Sequence, residues 1–373
     1  MTSPNHPKCP LHLGVLGLSE GRSILSAALD SPDWEITQIC DLDEALCRQR
    51  RAEFGLSRHT RDYAEMLADP TVDAVAIFTP DHLHSLHITQ ALEAGKHVIC
   101  TKPVLHSLRE AAAVRAVWQR SQRALLVGMS MRFFDTFQRQ HEDILAGKHG
   151  RVLSIEAHYS ADKRGCLAQR KGKWESPNWL YTGLVHVADL ALWHLGAVKN
   201  VTATGTFSAN ARHEHHAGPD MLHALLTSPD CAIANISGCY GAPEPAREAR
   251  DLIECLVRGD SGSSLAKFTR LTYHTRFDGE PQQSHDFRDR FAYYWPFEPY
   301  CYHAGETRNY LEHFAAALRA GEVPQPDLDS GIRGIAVLEA IRLSLTEHRI
   351  VEVADVLRAH GLAELALQYP GAV

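Results

Sequence analysis

A lysine follows a short strand-like run in the first third of the chain. Residues 96–100 are largely apolar and β-branched, and they lead directly into Thr101, Lys102 and Pro103. In sheets of the nucleotide-binding type, ligands bind beyond the carboxyl ends of the strands. Lys102 is therefore placed where a substrate would bind, and an ammonium group at that position indicates chemistry rather than solvation.

A histidine and a carboxylate are one helical turn apart in the middle of the chain. Residues 182–195 are predicted to be helical, and His186, Asp189 and Trp193 would share one face because they are three and four residues apart. A histidine beside a carboxylate can act as a general base or acid. The alternative is a His–Asp pair that closes the helix surface and contributes only about 0.3 kcal/mol.

A glycine-rich turn follows the first strand-like run. Gly17 fits the first position of a dinucleotide-binding fingerprint, Ser19 stands at the second glycine position, and Gly21 lies one residue before the third. Such turns bring the backbone close to a pyrophosphate at a helix N-terminus. Asp41 follows 24 residues after Gly17, at the end of the second strand, where an acid binds ribose hydroxyls and disfavours a 2′-phosphate. The pattern indicates NAD rather than NADP, and the alternative is an ordinary turn with no ligand.

A second turn with ligand-binding potential begins at Thr79 and Pro80, just past the third buried strand. The proline directs the chain away from the sheet, at the edge where ligands bind. His82 and His84 follow in the next turn. The turn is predicted to line the nicotinamide side of the cleft, and the alternative is that both histidines are surface and cap residues of the next helix.

The elements that position these residues form two domains. The first third alternates β-branched runs with helical patterns, which predicts a doubly wound parallel sheet of α/β class. Beyond about residue 131 longer alternating strands predict an open, mostly antiparallel sheet with helices at 306–320 and 331–348, the last capped by residues 327–330. We predict a nucleotide-binding domain over 1–130, a substrate-binding and oligomerisation domain over 131–360, and a tail over 361–373.

Composition restricts the class of partner. The chain has 373 residues, 45% hydrophobic and 22% charged, with a formal net charge of -7. This balance argues against a nucleic-acid or anionic-membrane surface, and no run approaches the roughly 20 apolar residues of a membrane span. The polar start, residues 1–10, predicts a cytoplasmic protein.

Cysteine and histidine spacing predicts neither disulfides nor a metal site. The nine cysteines are scattered and never in C-x-x-C spacing, so they are interpreted as reduced thiols. His213, His215 and His216 form the densest histidine cluster, but no fourth ligand at useful spacing accompanies them. They are interpreted as a surface loop, and no metal is predicted.

In the order of its motifs the chain resembles the glucose-fructose oxidoreductase / inositol dehydrogenase family, also called Gfo/Idh/MocA, from about residue 11 to residue 353. The resemblance rests on a series of motifs in one order: the glycine turn, Asp41, Thr79-Pro80 with His84, residues 94–98 leading into Lys102-Pro103, Arg132-Phe133, residues 147–150, residues 186–189, and the final helix with Glu339-Ala340 and Ser344.

The resemblance implies a Rossmann domain, a C-terminal α/β domain that mediates homodimers or homotetramers, and hydride transfer between nicotinamide and a sugar, cyclitol or sugar-acid hydroxyl. Lys102 and His186 are then the catalytic residues, with Lys102 moving the hydroxyl proton and His186 as base or substrate anchor. The implied site residues for the cofactor are Gly17, Ser19, Gly21, Asp41, Thr79, Pro80, His84, Thr101 and Lys102. Those for a small polar alcohol or carbonyl substrate are Lys102, Arg132, Lys163, Trp174, Thr182, His186 and Asp189.

Three positions depart from the family pattern, and they leave other functions open. Thr101 replaces the glutamate of the E-K-P motif, Thr182 replaces an acid four residues before His186, and Ser19 alters the glycine turn. One alternative is a ligand-sensing or regulatory protein that keeps the dinucleotide fold. Another is a lyase or glycosidase that uses bound NAD for transient oxidation. A third is a bilin or dihydrodiol reductase, for which a more apolar cleft is expected.

The loop before His186 is predicted to form a substrate wall. It contains Lys163, Arg164, Lys171, Lys173 and Trp174, and cations suit carboxylates or phosphates while aromatic rings suit sugar faces. For any single one of these residues the alternative is a solvated loop position.

Overall fold

Two compact units make up the computed structural model, which describes residues 9–165, 179–213, 218–243, 251–289 and 305–367. The described part of the first unit comprises residues 9–128 and 305–331, and the second comprises the other described residues. The predicted division at residue 130 did not assign residues 305–331 to the first unit.

The strands form a six-stranded and a nine-stranded sheet. The first sheet contains β1 Leu11–Leu16, β2 Trp34–Cys40, β3 His59–Thr60, β4 Ala74–Ile77, β5 His97–Thr101 and β6 Leu125–Gly128. The second contains β7 Val152–Ala161, β8 Asn200–Thr206, β9 Met221–Thr227, β10 Ile233–Cys239, β11 Asp251–Gly259, β12 Gly262–Lys267, β13 Thr272–Phe277, β14 Gln283–Asp286 and β15 Val351–Glu352.

The α-helices of the described residues follow the same chain order. They are α1 Arg22–Leu29, α2 Glu44–Phe54, α3 Tyr63–Ala68, α4 His84–Glu93, α5 Ala111–Ser121, α6 Asp135–Leu145, α7 Val185–Leu195, α8 Ala209–His213, α9 Glu306–Ala320, α10 Leu328–Glu347, α11 Val353–Ala359 and α12 Ala363–Leu367. Short 3₁₀ turns occur at Asp81–Leu83, Leu108–Glu110 and Ser130–Phe133, and a π-helical turn occurs at Leu180–Leu184.

The first sheet is parallel throughout, in the order β3-β2-β1-β4-β5-β6. All residues of β4 and β6 are buried, as expected where helices cover both faces of a parallel sheet. The strand order reverses between β1 and β4, which is the switch point at which doubly wound sheets bind their ligands. The predicted Rossmann architecture is confirmed, and Gly17 and Thr79 lie just beyond the two strands at the switch point.

The helix α9 packs on the first sheet through the strand β2. The Trp34 indole N–H donates to the Leu311 carbonyl at 2.9 Å, and its ring stacks on Phe314 at 5.9 Å between centroids. An ion pair between Arg319 and Asp33 closes the other end of the contact. These contacts explain why residues 305–331 cluster with the first unit.

The second sheet is mostly antiparallel, as predicted, in the order β14-β13-β12-β11-β7-β10-β9-β8-β15. Only β7 and β10 pair in parallel among its described strands. The helices α6 and α7 contact β12 and β7 respectively. Burial alternates along β9, and Leu225 and Ile233 are each 45% exposed, so one face of the sheet remains partly open.

The predicted cap of the last long helix is also found. The Ser330 N–H donates to Asp327 Oδ1 at 2.8 Å, and α10 begins at Leu328, three residues before the predicted start at 331. No helix among the described residues has the length and apolar composition needed to cross a membrane.

Candidate active site

The glycine turn is packed against the exit of β4. Gly17 has a φ of 86°, in the left-handed region, and a Cβ there would lie 2.6 Å from the Phe78 carbonyl oxygen. Only glycine fits such a close approach. Its N–H donates to the Cys40 carbonyl at 2.9 Å, which ties the turn to the end of β2.

The turn that opens α1 has two exposed residues, Ser19 and Glu20. Ser19 is exposed, whereas Leu18 before it is fully buried and Gly21 caps the helix from a buried position. An exposed turn at the start of a helix is the backbone geometry that accepts a pyrophosphate. The residues present therefore fit a dinucleotide.

Asp41 is held at the end of β2 by two backbone N–H groups. The Leu18 N–H donates to Oδ2 at 2.8 Å and the Asp43 N–H donates to Oδ1 at 3.0 Å. Each carboxylate oxygen has a second lone pair, so the half-buried group can still accept from ribose hydroxyls. Asp41 thus fixes the glycine turn, which the sequence did not show.

His84 connects the turns that follow β4 and β5. Its Nδ1 lies 2.8 Å from the Pro103 carbonyl and its Nε2 lies 2.8 Å from the Thr79 carbonyl, and the side chain is only 1% exposed. Burial lowers the pKa of His84, and the two carbonyl contacts act in the opposite direction. Since both ring nitrogens are engaged, we expect this residue to position the two turns.

Lys102 lies directly after β5, at the predicted edge of the sheet. Thr101, the last residue of the strand, pairs with Gly128 of β6, and the peptide bond from Lys102 to Pro103 is cis. Lys102 is half-buried, whereas Cys100 before it is fully buried and burial raises the pKa of its thiol. The amine of Lys102 thus lies just beyond the end of β5, whereas the thiol of Cys100 is buried inside the sheet.

In the second unit, His186 lies among aromatic rings. It is 7% exposed, and the edge of its ring meets Tyr159 at 5.5 Å between centroids. Tyr159 in turn meets Tyr240, which stacks on Trp179 at 5.1 Å. Sequence spacing gives no signal of this aromatic group, because its members are far apart along the chain.

The predicted helix around His186 begins with a π-helical turn. Thr182 lies within this turn, at Leu180–Leu184, and His186 is the second residue of α7. A Cβ at Gly183 would lie 2.6 Å from the Tyr240 ring, so the turn brings the backbone against that ring. π-Turns inside helices occur frequently at functional sites.

Arg132 and Asp189, both predicted to bind substrate, bind each other. Arg132 Nε and Nη2 donate to the two oxygens of Asp189 at 2.8 and 2.7 Å, and Arg132 lies 5.3 Å from the centre of the Trp193 ring. Asp189 is 2% exposed, so the pair is buried. Its two hydrogen bonds join the turn at Ser130–Phe133 to α7.

The remaining predicted substrate contacts are only partly described. The Lys163 N–H donates to the Tyr240 carbonyl at 3.0 Å, and Arg164 pairs with Asp162. Trp174, with Lys171 and Lys173, lies outside the described residues, as do His215 and His216. Within the ranges that the structure describes, no group of three or more histidine, cysteine or acidic residues is arranged to hold a metal.

Two histidines near the Arg132–Asp189 pair are held in the neutral form. His141 stacks on Trp193 at 3.8 Å between centroids, and its Nδ1 lies 3.2 Å from Nδ1 of His194. Burial lowers the pKa of His141 to about 4, and it lowers the pKa of His194 well below the ordinary value. The charge of Arg132 acts in the same direction.

These histidines predict acid sensitivity of the second unit. Rings that stay neutral when folded take up protons once unfolded, so stability is complete above about pH 6.5 and falls as the pH drops toward about 4. Each such ring contributes a slope approaching about 1.4 kcal/mol per pH unit. Urea unfolding followed by tryptophan fluorescence should give a lower midpoint near pH 5 than near pH 7.5. The His141→Gln variant should show a shallower dependence, and an equal slope in both proteins would contradict this assignment.

Two family models match the chain. The model described as "Oxidoreductase family, NAD-binding Rossmann fold" matches residues 11–129, and the model described as "Oxidoreductase family, C-terminal alpha/beta domain" matches residues 141–353. Together they cover most of both units.

Individual relatives share about a quarter of their residues with this chain. The D-apiose dehydrogenase of Paraburkholderia graminis is 28% identical over 345 residues, covering 90% of this chain and 87% of the relative. The scyllo-inositol 2-dehydrogenase (NAD(+)) of Bacillus subtilis is 26% identical, covering 89% and 93%. A solved levoglucosan dehydrogenase in complex with NADH has a TM-score of 0.79 at 22% identity, covering 92% and 99%, and supports the fold alone.

Proposed function

Because the chain belongs to the Gfo/Idh/MocA oxidoreductase family, we propose that it transfers a hydride between the hydroxyl of a sugar, cyclitol or sugar acid and NAD. Membership makes it an NAD(P)-dependent dehydrogenase with a Rossmann domain. The observation that carries the proposal is Lys102, an amine at the carboxyl end of β5 in that domain.

The glycine turn and Asp41 would hold the dinucleotide. The turn at the exposed residues Ser19 and Glu20 suits the pyrophosphate, and the Asp41 carboxylate suits ribose hydroxyls. A carboxylate at this position repels a 2′-phosphate, which favours NAD over NADP. When bound, NAD supplies the nicotinamide ring that accepts or returns the hydride.

Lys102 would handle the proton of the reacting hydroxyl. An alcohol releases its C–H hydride readily only as its O–H proton leaves, so the site needs a group that accepts that proton. The neutral amine of Lys102 can accept that proton. The residue before it in sequence is Thr101, which supplies a hydroxyl where the family has a carboxylate. His84 supports the role by fixing the Pro103 carbonyl next to the lysine.

His186 would anchor the substrate or share the proton transfer. Its ring is held edge-on by Tyr159, and its helix is fixed by the Arg132–Asp189 pair. The ring therefore keeps one orientation, as a positioned general base requires. All the predicted substrate contacts stay predictions, and Lys163, Thr182 and Trp174 are among them.

The relatives support a substrate class for this chain. Enzymes named for D-apiose, levoglucosan and scyllo-inositol act on polyhydroxylated substrates, and they match this chain over about nine tenths of its length. They support a sugar or cyclitol for this chain. The partly open second sheet supports the predicted homodimer or homotetramer, and the cytoplasmic location stays a prediction.

The test is a panel of aldoses, inositols, anhydrosugars and uronates, each incubated with the purified protein and NAD. At least one substrate should form NADH, with a kcat/KM for NAD above that for NADP. No NADH from any of them, in a protein that binds NAD, would contradict the proposal. Product without net NADH would instead indicate transient oxidation within a lyase or glycosidase cycle.

A further inference from the structure

The helix α2 carries a buried arginine that faces the glycine turn. Arg50 is 8% exposed, and its Nε donates to the Leu18 carbonyl at 3.1 Å. Its Nη1 donates to Glu53 Oε2 at 2.7 Å, and Glu53 Oε1 accepts from Arg22 Nε at 2.7 Å. The guanidinium is thus fixed at both ends, with an acid on one side and a backbone carbonyl on the other.

Leu18 is held on both sides by charged groups. Its N–H donates to Asp41 Oδ2 at 2.8 Å, while its carbonyl accepts from Arg50. Both are charge-assisted hydrogen bonds, the stronger class in proteins.

The bond from Arg50 determines the direction of the next N–H group. The Leu18 carbonyl and the Ser19 N–H belong to one planar peptide, and this peptide is trans, so the two point in opposite directions. Since the carbonyl points to the buried Arg50, the Ser19 N–H points away from it. Ser19 as a whole is an exposed residue, in contrast to the buried Leu18 and Arg50.

We propose that Arg50 is a positioning residue for the dinucleotide, which locks the Leu18–Ser19 peptide so that the Ser19 N–H faces the pyrophosphate. Without Arg50 the peptide can rotate and present the Leu18 carbonyl oxygen, which repels an anion. Arg50 thereby compensates for Ser19 at the second glycine position. The inference rests on the proposed binding of NAD at this turn.

The variant Arg50→Met is expected to weaken binding of NAD and of ADP-ribose about 10- to 100-fold, the effect of one hydrogen bond to a charged group. Adenosine lacks the pyrophosphate, so its binding, measured by ligand-observed NMR, should not change. At saturating NAD, kcat should stay within about twofold of the wild type. This split between KM and kcat would not follow from a general loss of structure.

The matched control is Arg51→Met on the same helix. Arg51 is exposed, and within the described ranges its side chain contacts His59 at 3.4 Å, so this variant removes an equal charge without touching the turn. It should bind all three ligands like the wild type. If it weakens NAD as much as Arg50→Met does, the effect is one of net charge and the inference fails.

A conservative variant covers the case in which Arg50→Met does not fold. Arg50→Lys keeps the charge, but one ammonium group cannot span both the Leu18 carbonyl and Glu53 as the guanidinium fork does. We expect an intermediate loss of NAD affinity with a thermal midpoint near that of the wild type. Unchanged NAD affinity in either folded variant, or an equal loss for adenosine, would overturn the role of Arg50. Failure of the wild type to bind NAD would instead overturn the proposed function.

Discussion

Replacing Lys102 with methionine should lower kcat about 10²- to 10⁴-fold, the range expected when a general acid–base group is lost. Methionine keeps the length and apolar stem of the side chain but can neither accept nor donate the hydroxyl proton. Although Lys102 is also among the implied cofactor residues, the Kd for NAD should change by no more than about threefold, because the pyrophosphate and ribose contacts are proposed for the glycine turn and Asp41. NADH absorbance with the best substrate of the panel gives kcat, and NAD titration followed by protein fluorescence gives the Kd.

Two further variants separate proton transfer from charge. Lys102→Arg keeps a cation that does not deprotonate in proteins, so it should bind substrate yet remain nearly as slow as Lys102→Met. Lys199→Met removes an exposed lysine of the second unit and should leave both kcat and Kd unchanged. If Lys102→Met keeps more than about a tenth of the wild-type kcat, Lys102 does not carry the proton transfer.

The parallel sheet and its ligand edge could be predicted because their signals are local. β-Branched runs, a glycine turn and an acid at the end of the second strand place Gly17, Asp41 and Lys102 at strand ends without knowledge of any long-range contact. The structure confirms that Lys102 follows β5 and that Asp41 follows β2. The role of each residue is a separate question that strand patterns do not answer.

The partners of those residues could not be predicted, because they depend on packing between distant segments. Arg50 lies in a helix with the sequence EALCRQRRAEF, where a charged residue looks solvent-exposed, and only the fold shows that its guanidinium faces Leu18. Asp189 was placed on the face of His186 from helical spacing, but its partner is Arg132, 57 residues earlier. Nothing in the local sequence around Arg132 or Asp189 indicates that the two residues form a pair.

The same reasoning applies to the helix α9. Its bounds, Glu306–Ala320, were predicted from its apolar period, yet its packing on the first sheet was not. An amphipathic pattern shows that one face is buried, and the covering surface is decided by side chains such as Trp34 on a different element. A sequence thus predicts elements more readily than it predicts which elements meet.

The largest stability effect is expected at Asp189. Replacing Asp189 with alanine leaves the Arg132 guanidinium, whose side chain is 10% exposed, without its only carboxylate partner in the described residues. An unpaired buried charge costs about 3–5 kcal/mol, so the free energy of unfolding of the second unit should fall by that amount. Urea unfolding, read by fluorescence and by circular dichroism, measures the change.

The double variant Arg132→Met/Asp189→Leu tests whether the loss comes from the stranded charge. It removes both charged groups and refills the space with apolar side chains, so it should be more stable than Asp189→Ala alone. The control Glu156→Ala breaks an exposed pair with Arg258 in the same unit and should cost less than about 1 kcal/mol. Because the pair joins the Ser130–Phe133 turn to α7, which also carries His186, the double variant should regain stability without full recovery of kcat. A double variant no more stable than Asp189→Ala would show that the cost lies in lost packing around Trp193 rather than in the charge.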